Sequence, residues 1–164
     1  MTTLAITSMY ANPLHPGHIE CLDLSLQHAD ELWVIVNNDK QAEMKRWVKS
    51  FQDENFRVAV VGSLKSVSRV FLSVDQDGSV CESLKVLIRE AKESQKYDEI
   101  IFTKWGDRFA SEIPEAVLLR EEWVRIVDGL GAKTHNSSDL VNKLKNKADE
   151  KELEKKLEEL PKNL

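Results

Sequence analysis

Two histidines separated by a proline and a glycine, His15-Pro-Gly-His18, stand out as residues whose types and spacing could do chemistry. An imidazole donates a hydrogen bond to a phosphate oxygen, and does so more strongly when it is charged. Rings three residues apart face one region if the chain turns into a helix at that point. Gly17 and the first helical turn would add unpaired backbone N–H groups and the positive end of the helix dipole, a combination that suits an anionic ligand. The plainer alternative makes one histidine a surface residue and the other a helix cap. The remaining histidines, His28 and His135, carry no motif and read as surface residues.

The elements around this segment determine whether it can be a site. Leu4 to Met9 reads as a strand running into a loop with Asn, Pro and Gly; Gly17 to His28 reads as a helix and Leu32 to Val36 as a buried strand. Strand, loop, helix and strand within 36 residues make a βαβ unit, and the β-branched run fits a parallel strand covered on both faces. The alternation continues with a helix from Asp53 to Leu64 and a strand from Arg69 to Ser73. A helix from Ser83 to Lys92 and a strand from Glu99 to Thr103 follow. A helix from Pro114 to Glu122, a strand from Trp123 to Val127 and a closing helix from Ser137 to Leu144 complete it. Five strands alternating with helices predict a three-layer α/β/α sandwich around a Rossmann-like, five-stranded parallel sheet. In such sheets ligands bind beyond the carboxyl ends of the strands, where the His15–His18 loop falls.

Composition sets the outer limits. A chain of 164 residues fits one core domain, here 1–145, and the net charge of −5 argues against binding a nucleic-acid backbone. No apolar run reaches the roughly 18 residues of a membrane span, and the first residues lack a leader pattern. Cys21 and Cys81 are not spaced as a metal motif and read as buried thiols in a reducing cytoplasm. Residues 146–164 form a Lys- and Glu-rich helical tail. Leu153, Leu157 and Leu160 give it one apolar stripe, Asp149 with Glu152 a capping box, and Glu152 with Lys156 an i,i+4 pair. The stripe suits docking on the body or on a second subunit; a solvated tail is the alternative.

Asn12-Pro-Leu-His-Pro-Gly-His18 resembles the HxGH signature of the cytidylyltransferase-like nucleotidyltransferases, itself similar to a segment of class I aminoacyl-tRNA synthetases. Three further blocks carry the likeness. Asp30 to Lys40 resembles the second strand and loop of the glycerol-3-phosphate cytidylyltransferase and heptose-phosphate adenylyltransferase branch. Lys104-Trp-Gly-Asp-Arg108 resembles its Lys-Gly-Gly-Asp turn, and Gly129 to Ser138 its closing Ser-Thr-Thr turn. The likeness covers about residues 4–144, in order.

The resemblance implies attack by a substrate phosphate on the α-phosphorus of CTP or ATP, releasing pyrophosphate and joining the nucleoside monophosphate to a small phosphorylated alcohol or sugar. A vitamin-derived phosphate, or a binding module with reduced catalysis, is the alternative. In that frame His15, His18 and Lys45 are catalytic, contacting the phosphates. Tyr10, Ala11, Asn12, Gly17, Lys104, Trp105, Gly106, Asp107, Arg108, Asn136, Ser137 and Ser138 bind the nucleotide, and Arg57 lies near the substrate phosphate. Magnesium is expected with the triphosphate, although no all-protein cage for it is visible. The branch also implies a homodimer.

Several of these residues have a simpler alternative. Lys45 could be a solvated charge, Arg57 an i,i+4 partner on a helix face, Ser137 a cap alone, and Asp107 with Arg108 a turn-stabilising pair. Met9, Ala11 and Trp105 depart from the family's glycine, aromatic and glycine. Glycine at the first of these positions lets a nucleotide approach the backbone. Trp105 would reshape the base pocket or stack on the base.

Overall fold

The computed structural model describes residues 1–46, 49–106 and 113–131, together with 142, 143, 146, 147, 151 and 155. Its elements, in chain order, are β1 (Thr3–Met9), α1 (Pro16–Leu26), β2 (Glu31–Val36), α2 (Asp39–Arg46), α3 (Glu54–Gly62), β3 (Arg69–Leu72), α4 (Cys81–Glu93), β4 (Glu99–Trp105), α5 (Ala116–Glu121) and β5 (Arg125–Leu130). The five strands form one sheet in the order β3-β2-β1-β4-β5, and every pairing is parallel. The expected Rossmann-like α/β architecture is therefore present.

Period-two alternation along the strands sorts the core into two layers. Leu4 and Ile6 of β1, with Trp33 and Ile35 of β2, pack on one face against Leu84, Leu87 and Ile88 of α4 and Leu119 of α5. Ala5 of β1 and Leu32, Val34 and Val36 of β2 pack on the other, against Leu22 of α1 and Val61 of α3. With both faces covered, β2 has no polar side, which explains its unbroken apolar run.

Two elements differ from the sequence expectation. Residues 39–46, to which the sequence reading assigned no helix, form α2, a helix with no apolar stripe that starts from its cap. The Asn38 side-chain oxygen accepts from the Gln41 N–H at 2.9 Å, and the Gln41 side chain accepts from the Asn38 N–H at 3.1 Å. That is a reciprocal capping box, a signal present in Asn38-Asp-Lys-Gln41. The fifth strand begins at Arg125, not Trp123. Trp123 adopts φ 58° and is 93% exposed, so it turns the chain after α5 although its aromatic type favours strands.

Cys21 is buried as expected, whereas Cys81, the first residue of α4, is only partly so. Among the described residues no helix is long and apolar enough to cross a membrane. Most of the expected closing helix and of the tail lies outside the described residues.

Candidate functional site

The strand order reverses between β1 and β4, the neighbours at the centre of the sheet. A crevice opens at such a switch point, beyond the carboxyl ends of the strands. The loop after β1 enters it from one side, and Lys104 and Trp105, ending β4, with Gly106 after them, enter it from the other.

His15 is the N-cap of α1, with extended backbone (φ −145°, ψ 167°), and Pro16 follows at the first helical position, where its missing N–H costs nothing. The His15 Nδ1 accepts from the Gly17 N–H at 3.1 Å, and the His18 Nδ1 accepts from the His15 N–H at 3.2 Å. A pair of imidazoles thus fills the roles usually taken by Ser or Thr and Glu in a capping box. With Nδ1 accepting, each neutral ring carries its proton on Nε2. The cap is what orients both rings.

The rings lie 3.8 Å apart between centroids, tilted by 33°, and both histidines are buried. Burial, reinforced by His15 and then by the Lys45 charge, pushes the His18 pKa down to about 3. His18 is therefore a neutral donor at physiological pH. The charged form considered from the sequence is not its resting state, because too little water reaches the ring to solvate a cation.

Lys45, in the last turn of α2, sets its ammonium 4.2 Å from the centre of the Tyr10 ring. That contact leaves the charge close enough to act on His18. Asn12 is buried and donates from Nδ2 to Ser50 Oγ at 2.8 Å, while its buried Oδ1 has no hydrogen-bond partner among the described residues. Ala11 sits at φ 49°, a backbone region that favours glycine. Met9 is packed in the core layer beneath α1 and α3.

Trp105 is placed by an irregularity in the β4–β5 ladder. Thr103 pairs with Val127 but Trp105 pairs with Leu130, so β5 contributes an extra residue, and Gly129 in this stretch takes φ 71°. The indole packs on both imidazoles, 5.6 Å from each ring centre. A Cβ on Gly17 would meet Trp105 Cζ2 and His15 Cε1 at 3.0 Å, so any larger residue there has to push the two rings aside by a few tenths of an ångström. The side chain that the sequence assigned to a base pocket thus stands over the histidines.

Arg57, expected near the substrate phosphate, has a wholly buried side chain whose three nitrogens are all engaged within the protein. Nε donates to the Gln52 carbonyl at 3.1 Å, and Nη1 to the Tyr10 and Asn37 carbonyls at 2.8 and 2.6 Å. Nη2 pairs with Asp39 at 2.9 Å. A planar fork of donors suits such a junction, and here it ties the loop after β1 to the one after β2 and to the entry of α3. Ser50 and Gln52 extend the brace to Asn12. Sequence reasoning missed Asn37, Asp39, Ser50 and Gln52, because no local pattern signals the Arg57–Asp39, Arg57–Asn37 and Asn12–Ser50 contacts, made across 18, 20 and 38 residues.

Asp107, Arg108, Asn136, Ser137 and Ser138 lie outside the described residues. The described site therefore comprises two oriented imidazoles, a lysine and an indole gathered at the start of α1. Its chemistry is that of hydrogen-bond donors and positive charge, suited to an anion.

A family model described as cytidylyltransferase-like matches residues 10–153. The chain belongs to the cytidylyltransferase-like family. Among relatives of this cytidylyltransferase-like chain, an FAD synthase of Methanocella arvoryzae is 41% identical over 64 residues, 39% of this chain and 44% of that protein. The match thus spans under half of that relative's length. A crystal structure of a lipopolysaccharide core biosynthesis protein from Thermoplasma volcanium superposes with a TM-score of 0.59 at 26% identity, covering 78% of this chain and 96% of that one. A bifunctional NMN adenylyltransferase/ADP ribose pyrophosphatase from Francisella tularensis gives a TM-score of 0.57 at 11% identity. It covers 89% of this chain and 43% of the other, and shows likeness of fold alone.

Proposed function

We propose that this chain is a nucleotidyltransferase that joins a nucleoside monophosphate from ATP or CTP to a phosphate-bearing acceptor. An acceptor phosphate oxygen attacks the α-phosphorus in line, the bond to the bridging oxygen breaks, and pyrophosphate leaves with the electron pair. The observation that carries the reading is the histidine capping box at the β1–β4 switch point, in a chain of this family. It supports binding of phosphate oxygens by two imidazole N–H donors held in fixed orientation. Such donors act by stabilising charge as it grows on the α-phosphate and on the leaving pyrophosphate.

Lys45 adds a positive charge from the last turn of α2. Among the described residues no three His, Cys, Asp or Glu side chains gather as a metal site. Magnesium, when bound with the triphosphate, would supply charge neutralisation on the phosphates. The FAD synthase likeness favours ATP as donor and flavin mononucleotide as one acceptor to be tried. The likeness to a lipopolysaccharide core protein favours a sugar phosphate.

A pyrophosphate-release screen tests the proposal. ATP and CTP are each offered with flavin mononucleotide, nicotinamide mononucleotide, glycerol phosphate and sugar phosphates. Release with one pair above the level of either substrate alone supports it. Binding of a triphosphate without release under any pairing would leave a nucleotide-binding module in its place.

A further inference from the structure

We propose that Trp105 belongs to the anion-binding set, its indole Nε1–H donating to a phosphate oxygen beside the two imidazoles. The inference rests on the nucleotidyl-transfer reading and assigns that site a donor of its own. Trp105 Nε1 is buried and has no hydrogen-bond partner among the described residues. Glu20, whose carboxyl carbon also approaches Gly131, does not reach it. A buried indole N–H ordinarily finds an acceptor, since leaving it unpaired sacrifices the hydrogen bond that it made with water. An orphan of this kind inside a crevice points to a ligand that supplies the acceptor.

The placement agrees. The indole edge that carries Nε1 reaches from Gly131, against which Cδ1 and Nε1 pack, to Gly17, against which Cζ2 packs. It therefore borders the gap between the end of β5 and the start of α1. The histidine Nδ1 atoms are turned into the helix start, so the imidazoles also offer N–H groups, on Nε2. Imidazole N–H, indole N–H and the Lys45 ammonium are all donors. The matching ligand is one made of acceptors, as a di- or triphosphate is.

The experiment uses the full chain with its tryptophans labelled by ¹⁵N at the indole nitrogen, four in all. It is titrated with inorganic pyrophosphate and with magnesium ATP, and the Trp105 signal is identified by its loss in Trp105→Phe. A hydrogen bond to phosphate moves that indole proton downfield; a signal that stays in place or moves upfield while ligand binds overturns the donor role. In calorimetry Trp105→Phe, which keeps an aromatic ring but not the N–H, weakens both probes about tenfold or more, as loss of a hydrogen bond to a charged group should. Equal or tighter binding by the variant also overturns the proposal, since the indole would then only occupy the ligand's space. If neither probe binds the wild type and magnesium CTP, titrated in the same way, does not bind either, the nucleotidyl-transfer reading itself fails and the proposal falls with it.

Discussion

Replacing Arg57 by methionine removes the guanidinium and keeps much of the side-chain stem. The guanidinium is fully buried and serves three backbone carbonyls and Asp39. Three carbonyls deprived of a donor lose about 1 kcal/mol each. Breaking a buried charged network by removing one partner costs about 3–5 kcal/mol. The two routes agree, and we expect Arg57→Met to lose about 3–4 kcal/mol. At about 2–4 °C per kcal/mol for a chain of this size, the melting temperature falls by roughly 6–16 °C. Asp39→Asn should cost below about 1 kcal/mol, because Asp39 is one-third exposed and the three carbonyls keep their donor. Urea unfolding followed by circular dichroism, with wild type and both variants in parallel, measures these differences. If Arg57→Met keeps its stability and loses only nucleotide affinity, the guanidinium faces the ligand and the brace described above is wrong.

His18→Gln keeps an acceptor at the third helical position, where glutamine completes a capping box, so it removes the imidazole without removing the cap. Turnover should fall about 10²–10³-fold, the usual cost of one donor to developing charge, and near-normal pyrophosphate release in the folded variant would refute the role. The same variant reports on pH. His18 titrates near 3 when folded and near 6.5 when unfolded, so below pH 6.5 the unfolded state takes up a proton that the folded state does not. Wild type should lose stability as pH falls from 6.5 towards 3, by up to about 1.4 kcal/mol per pH unit more than His18→Gln, and no extra loss should appear above 6.5. Gly17→Ala puts a methyl 3.0 Å from His15 Cε1 and Trp105 Cζ2, so it should shift the rings and cut turnover by about tenfold to a hundredfold while the protein stays folded. Light scattering should give twice the chain mass in solution, and a monomer mass at high concentration would reject the proposed dimer.

The sequence by itself determined what depends on near neighbours along the chain. Alternating apolar runs and helical stretches give the α/β order, because each strand with two covered faces must be apolar throughout. His15-Pro-Gly-His18 marks both a helix start and a pair of donors, and that information lies within four residues. The Asn38–Gln41 cap was equally local, and the helix it starts could have been read from it.

Only the tertiary structure decided which distant residues meet. The order β3-β2-β1-β4-β5 brings residue 105 beside residues 15 and 18, and a ladder irregularity near Gly129 places its indole there. Arg57 carries the same charge in either reading, but burial commits it to carbonyls 5, 20 and 47 residues away. The His18 pKa is set in the same way, by the exclusion of water and by charges folded against it. Side-chain type tells what a group can do; packing decides which partner and how much water it has to do it with.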